Sequence, residues 1–324
     1  MNFPRPKILA TTLILLLAAY GVACSGDEDR QNDHAPDAGL EDTEDNGGEF
    51  EPCEDESCFA ELAAGEHHSC ALDGEGSIHC WGSNEYQQSD APSGEFMTIS
   101  AGGRITCGID PTNVVHCWRL GEVTTEQYYS AVSVGDFWSD VCRLEVDTSE
   151  VDCNGHAIPD GTVFKQVSSG FLYSCGVNPE GNIECFVDED VFDGPSSVPA
   201  ADPPDGTFSY VSAAANHTCA IDDEGAIECW GSDAGHIEEV LIPPAGTFVD
   251  LSLGQNFGCA IDDEHGIECW GDNDEGALDA PEGRFLEVEA GGPFSHHVCA
   301  IDETHQIQCW GNDDYGQASP PATP

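Results

Sequence analysis

The stretch Cys70-Ala71-Leu72-Asp73-Gly74-Glu75-Gly76-Ser77-Ile78-His79-Cys80-Trp81-Gly82 decides how this chain folds. Cysteine, aliphatic, turn, aliphatic, cysteine is the alternation of a β-hairpin. With Cys70 opposite Cys80, Leu72 faces Ile78 and Asp73 faces Ser77, leaving a three-residue loop that ends in Gly76. Glycine suits the left-handed residue of such a turn. Directly opposed residues hold their Cβ atoms about 4.5–5.5 Å apart, and a disulfide needs about 3.5–4.5 Å. The bridge therefore demands a non-hydrogen-bonded pair with the strands drawn in.

The segment recurs as CAIDDEGAIECWG from Cys219, CAIDDEHGIECWG from Cys259 and CAIDETHQIQCWG from Cys299. Seven cysteine pairs follow one another: Cys70–Cys80, Cys107–Cys117, Cys142–Cys153, Cys175–Cys185, Cys219–Cys229, Cys259–Cys269 and Cys299–Cys309. Six have a spacing of ten; Cys142–Cys153 has one residue more, so its hairpin is expected to bulge. Upstream of each pair lies an aromatic, two variable residues, an aliphatic, two more, then Gly or Ala. That pattern begins at Phe59, Phe96, Tyr129, Phe164, Phe208, Phe248 and Phe285. It supplies a further strand, and the stretch after Trp-Gly offers a fourth. A period of 33 to 44 residues repeated seven times is a repeat architecture. The expected fold is all-β: a seven-bladed β-propeller over residues 59–318, one disulfide per blade.

The paired cysteines read as disulfides rather than metal ligands, because structural zinc pairs lie about two to four residues apart. Closing each eleven-residue loop contributes roughly 2.5–3 kcal/mol in the chain-entropy picture. That is a large sum for a self-repelling chain with 62 acidic and 8 basic residues, net −54.

The segments His68–Gln88 (HSCALDGEGSIHCWGSNEYQQ) and His296–Gln317 (HHVCAIDETHQIQCWGNDDYGQ) are similar to the repeat of the regulator of chromosome condensation family. The resemblance covers about Phe59 to Gln317 and implies a seven-bladed propeller. The disulfides resemble those of exported bacterial relatives. Three positions depart from the repeat: Arg119 replaces the glycine after Trp118, Asn154 replaces the tryptophan after Cys153, and Phe186 replaces the tryptophan after Cys185. Blades two to four are thus the irregular side and the first place to look for function. The family's known roles, nucleotide exchange on chromatin and inhibition of β-lactamases, do not transfer to this acidic chain.

Five units open with a Pro-x-Gly turn, as in Pro204-Asp205-Gly206, and Ser319-Pro320-Pro321 stands where the next would begin. The strand Phe59–Ala64 is expected to complete the blade containing Cys299–Cys309, so that both chain ends share one blade.

The remaining cysteine of seventeen, beyond these pairs and a small Cys53–Cys58 loop, is Cys24. Arg5 and Lys7 precede an apolar run, Ile8 to Ala19, of signal-peptide length. The run ends at Gly21-Val22-Ala23-Cys24, which resembles a bacterial lipobox with glycine in place of the usual leucine. Residues 1–23 read as the signal peptide, with Cys24 as the lipidation site and residues 24–52 as an acidic disordered linker. Residues 53–58 form the small disulfide loop, and 319–324 a tail. Export to the bacterial envelope, at the outer membrane, also fits the oxidised cysteines.

The acid surface excludes nucleic acid and anionic lipid as partners and favours a basic protein. Membrane contact is through the lipid alone, and the chain is expected to be a monomer. No nucleophile elbow, zinc-protease helix or phosphate loop occurs, so no catalytic residue and no metal ligand is assigned. His67, His68, His217, His296 and His297 recur with the repeat and are expected to satisfy loop hydrogen bonds. Trp81, Trp230, Trp270 and Trp310 form an aromatic set open to two readings, sugar binding or packing between blades, with packing favoured. Asp272-Asn273-Asp274-Glu275 and Asp313-Asp314 offer oxygen ligands for calcium without a full calcium-loop pattern. The leading expectation is a protein-binding or scaffold module at the cell surface. The alternatives are a calcium-dependent surface or matrix protein and an enzyme acting on an extracellular or cell-wall polymer.

Overall fold

The computed structural model describes residues 53, 57–119, 122–135, 141–154, 158–187, 198–232, 238–292 and 295–321. The segments expected to be a signal peptide and an acidic linker, and the expected lipidation site Cys24, lie outside the described residues. Seven blades of three antiparallel strands follow in order. Blade one is β1 (Phe59–Ala64), β2 (His68–Asp73) and β3 (Ile78–Gly82); blade two is β4 (Thr98–Gly102), β5 (Ile105–Ile109) and β6 (Val114–Trp118). Blade three uses the second half of β7 (Glu122–Val134), β8 (Val141–Glu145) and β9 (Val151–Cys153). Blade four is β10 (Gln166–Ser169), β11 (Tyr173–Val177) and β12 (Ile183–Val187). Blades five to seven are β13 (Phe208–Ala213), β14 (His217–Asp222), β15 (Ile227–Gly231); β16 (Phe248–Leu253), β17 (Phe257–Asp262), β18 (Ile267–Gly271); and β19 (Phe285–Ala290), β20 (His297–Asp302), β21 (Ile307–Gly311).

The hairpin register matches the sequence pattern. Cys70 pairs with Cys80 and Leu72 with Ile78. The seven blade disulfides join directly opposed residues whose Cα atoms lie 4.0–4.1 Å apart. That is closer than the roughly 4.5 Å of an ordinary non-hydrogen-bonded pair. Cys53 and Cys58 are also bridged.

Two expectations are corrected. First, blade three has no bulge between its cysteines. Cys142 faces Cys153, Arg143 faces Asp152 and Leu144 faces Val151, so the ladder is regular. The extra residue sits in the turn, where Glu145 N donates to Glu150 O and Ser149 N to Glu145 O. Lengthening a turn costs little, whereas a bulge would pull the two sulfurs out of register.

Second, β1 does not join the last blade. It pairs with β2 in blade one. Its role at the axis is set by the first strands of all seven blades, which abut one another in a closed circle, β19 against β1 included. The ring closes by the contacts used at every other junction. In each blade the hairpin-turn residue with positive φ offers its carbonyl to the aromatic N–H that opens the next blade. The six internal pairs are Phe96 to Gly76, Tyr129 to Asn113, Phe164 to Ser149, Phe208 to Gly181, Phe248 to Gly225 and Phe285 to His265, at 2.8–3.1 Å. The seventh, Phe59 N to His305 O at 3.1 Å, joins blade one to blade seven. An Asp or Asn at the turn's start holds six of these turns: Asp73, Asp110, Asn178, Asp222, Asp262 and Asp302 accept backbone N–H groups two and four residues on. Part of the acid content is thus turn architecture.

A fourth strand appears only in blade two among the described residues. There the first half of β7 returns along β6, Cys117 opposite Val123. Elsewhere the residue after tryptophan is a left-handed glycine: Gly82, Gly231, Gly271 and Gly311. A Cβ there would fall within 3 Å of the backbone of the preceding blade-edge turn, as at Gly311, 2.1 Å from His296 O. The glycine carries the chain across to the neighbouring blade instead of back along its own. Arg119, without that conformation, permits the return.

Candidate functional site

The end of the ring that carries the turns between first and second strands also carries the loops after each third strand. Five of these loops are seen to cross to the next blade and offer it a carbonyl. Trp118 Nε1 donates to Gln88 O, Trp230 to Ala200 O, Trp270 to Val240 O and Trp310 to Ala277 O, at 2.8–3.0 Å. Trp81 Nε1 donates to Gln317 O at 2.8 Å across the closure. In three junctions a hydroxyl beside the first cysteine donates to the same carbonyl: Ser69 to Gln317, Thr106 to Gln88 and Thr218 to Ala200. The tryptophans are therefore inter-blade ties, consistent with their half-buried or buried rings. Blades three and four lack this donor. In blade three Arg143 takes the place beside Asn154: its Nη1 donates to Asn154 Oδ1 at 3.1 Å and its guanidinium lies 5.7 Å from the Tyr129 ring. In blade four Phe186 packs on Phe164.

The histidines divide. His68 and His297 are fully buried between blades: His68 Nε2 meets Thr106 Oγ1 at 2.7 Å, and His297 lies between Ser69 and Ser295. Burial pushes His68 and His297 down to about 3 and His217 to about 4. Tyr173 and Phe257 fill the same repeat position in blades four and six. A position that accepts His, Tyr or Phe is a packing position. His67 and His296 instead lie in the end loops, His67 stacked on Tyr315 with ring centroids 4.3 Å apart.

The acidic loops close on themselves. Asp313 accepts from Ala318 N and Ser319 Oγ, and Asn273 accepts from Leu278 N. Among the described residues no three His, Cys, Asp or Glu side chains are placed to hold a metal ion.

Two arrangements stand out that the repeat pattern alone did not indicate. One lies at the loop end over blades seven, one and two. Two guanidinium groups lie against the Tyr86 ring, Arg104 at 4.9 Å and Arg119 at 5.2 Å from its centroid. Arg104 also pairs with Glu66 at 2.8 Å and donates to Tyr86 Oη at 2.8 Å. Tyr315 occupies the position of Tyr86 one blade back, is 49% exposed, and is covered by His67, the counterpart of Arg104. Of five described cationic side chains, two meet at this one ring. Arg119 was visible in the sequence as a departure from the repeat; Tyr86 and Arg104 were not.

The other lies at the axis. An innermost strand has a free edge of N–H groups, and side chains of the preceding blade accept from it. Glu61 Oε1 accepts from Ile99 N at 3.1 Å and Thr98 Oγ1 at 2.6 Å; Asp250 accepts from Val288 N, and Glu287 from Leu62 N. Serines do the same one step along: Ser100 for Val134, Ser133 for Ser169, Ser168 for Ala213 and Ser252 for Ala290. The charged members, Asp250, Glu287, Glu289 and Glu61, all fall on blades six, seven and one, opposite the irregular side. They are partly open to the axis, yet packed closely enough that desolvation governs them. Burial raises Glu61 to about 7 and Glu289 to about 8, raises Asp250, and lifts Glu287 well above its ordinary value. Burial, and then the charges of Asp250, Glu289 and Glu287, push Tyr210 well up.

Residues 59–88 match the regulator of chromosome condensation repeat. No curated protein sequence matches the chain. The fold is similar to the ectodomain of the receptor kinase CR4 from Physcomitrella patens, at 23% identity over 79% of this chain and 74% of that one, TM-score 0.64. It is similar to the ectodomain of the Arabidopsis thaliana receptor kinase ACR4, at 23% identity over 82% and 98%, TM-score 0.63. Prp20p from Saccharomyces cerevisiae, described with its binding to Gsp1p and histones, matches at 12% identity over 72% and 80%, TM-score 0.54. The chain carries the regulator of chromosome condensation repeat on a seven-bladed β-propeller.

Proposed function

We propose that this chain is an exported propeller, tethered to the bacterial envelope through a lipid on Cys24, that binds a protein partner with the loop end of blades seven, one and two. The observation that carries the reading is the contact of Arg104 and Arg119 with the Tyr86 ring, together with the exposed Tyr315 at the equivalent position of blade seven. Tyrosine and arginine are the residues that dominate protein interfaces. In a chain of net charge −54 they form a local contact site within a field that steers a basic partner toward the ring. The likeness to Prp20p, which binds Gsp1p, supports a protein-binding use of this architecture.

A photo-crosslinking side chain at Tyr315 tests this in the native envelope. One partner should be captured from position 315, not from Glu224 at the opposite end of the ring, and the capture should disappear with Arg119→Gly. Equal capture from both ends, or capture indifferent to Arg119→Gly, overturns the reading. Cys24→Ser should release the chain from the membrane fraction if the lipid is the tether.

A further inference from the structure

We propose that the exposed ring of Tyr315 seats an arginine side chain of the partner protein, whose guanidinium lies against it as that of Arg119 lies against Tyr86. The proposal rests on the reading of the loop end as a protein-binding site and names the partner's anchoring group. It is carried by the likeness of two loops one blade apart. Tyr86 N and Tyr315 N each donate to the glutamine two residues on, Gln88 Oε1 and Gln317 Oε1, both at 2.8 Å. The residues between, Gln87 and Gly316, both have positive φ. The two glutamine carbonyls receive Trp118 Nε1 and Trp81 Nε1, again at 2.8 Å. One loop geometry thus presents both tyrosines.

What lies against the two rings differs. Tyr86 is contacted by Arg104 and by Arg119. At Tyr315 the counterpart of Arg104 is His67, stacked with ring centroids 4.3 Å apart, and the counterpart of Arg119 is Gly82. Gly82 has φ +89°, and a Cβ there would lie 2.7 Å from His67 O, so the chain offers no side chain from that position. Tyr86 is half-buried, whereas Tyr315 is 49% exposed. The ring therefore makes a guanidinium–tyrosine contact within one loop and leaves the equivalent tyrosine open in the other.

Charge selects a cation, and shape selects arginine. Asp314 precedes Tyr315, and its Oδ2 lies 3.5 Å from Asn312 Nδ2, which also donates to Glu275 Oε2. Both carboxylates are exposed. A guanidinium lays its flat face on an aromatic ring while its N–H groups reach carboxylates at the edge. An ammonium has no flat face to lay. The net charge of −54 draws a basic partner toward the ring before this contact forms.

Nuclear magnetic resonance of the full chain with labelled tyrosine rings reads the contact, the Tyr315 signal being identified by Tyr315→Phe. The probe is a blocked Gly-Arg-Gly peptide, titrated at about 0.15 M salt where surface attraction is screened. A saturable shift is expected at Tyr315 and none at Tyr86, against which Arg119 already lies. In Arg119→Gly the Tyr86 ring should respond as well. The matching lysine peptide should bind about threefold more weakly or worse, and the citrulline peptide, flat but uncharged, should not bind. No shift at Tyr315, equal shifts at Tyr86 and Tyr315 in the native chain, or an equal response to the lysine peptide overturns the proposal. Free arginine binding more tightly than the peptide also overturns it, by assigning the place to a small molecule. Capture of a partner from position 315 without a response to the arginine peptide removes this inference and leaves the protein-binding reading standing. A response without capture keeps the contact and removes that reading.

Discussion

The backbone N–H of Phe59 donates to the carbonyl of His305, 246 residues further along the chain. His305 Nδ1 lies 3.0 Å from the Phe59 carbonyl, so the two residues hold each other twice. This single relationship shows how the ring closes: the first and last blades meet as any two neighbours do, and no strand is exchanged.

The tryptophan tie at the closure is shared between two donors. Trp81→Phe alone should cost about 1 kcal/mol, because Ser69 Oγ still serves the Gln317 carbonyl. Trp81→Phe with Ser69→Ala should cost more than the two single changes together, since the carbonyl is then orphaned. Urea denaturation of the four proteins of this cycle measures the coupling; strict additivity would remove the tie.

Glycines of similar φ should differ in their tolerance of a side chain. Gly311 has φ +87° and a Cβ there would lie 2.1 Å from His296 O, whereas Gly316 has φ +80° and open space around it. Gly311→Ala should cost about 2–4 kcal/mol, by strain plus collision. Gly316→Ala should cost about 1 kcal/mol, by conformation alone. Melting temperatures of the two variants compare them.

Stability should fall as pH rises above about 6.5. Glu61 and Glu289 have folded pKa values near 7 and 8, above the ordinary 4.5 of the unfolded chain. Their contribution is complete below about 4.5 and lost as pH climbs through 7 and 8. Below 6.5 the buried His68, His217 and His297 act in the opposite direction, because each has a folded pKa depressed to about 3–4. By about pH 7.5, a unit above the unfolded value, these histidines are neutral in both states, and from pH 6.5 up to there their opposing effect is smaller than the loss from the two carboxyls. Melting temperature should therefore decline from pH 6.5 to 9, and Glu289→Gln should flatten that decline. A flat native profile would contradict the desolvation of these groups.

Blade three should depend on its disulfide as the other blades do. Cys142 and Cys153 are directly opposed despite the extra residue. Replacing both by serine should cost roughly 2.5–3 kcal/mol, the loop-closure value for all the blade bridges. The matching change at Cys175 and Cys185 gives the reference, and denaturation midpoints report both.

The hairpins, the disulfide partners and the number of blades were legible in the sequence because each rests on local, period-2 alternation repeated along the chain. Leu72 and Ile78 reveal their pairing without reference to any other blade. Glu61, Asp250 and Glu287 did not reveal theirs, since each occupies a variable position of its own repeat. The same holds for Tyr86 and Arg104, which come from different blades. Arg119 could be seen to break the repeat, but not to lie over a tyrosine of the preceding blade.

Sequence by itself determined the fold of each unit, since alternation decides which face a residue takes and opposed cysteines fix the register. Tertiary structure alone decided the closure at Phe59 and His305, the gathering of carboxylates at the axis and the arginine–tyrosine contact at the loop end. Those depend on which residue of one blade meets which residue of the next. That match is set by the packing of the ring, and no periodicity within a single strand encodes it.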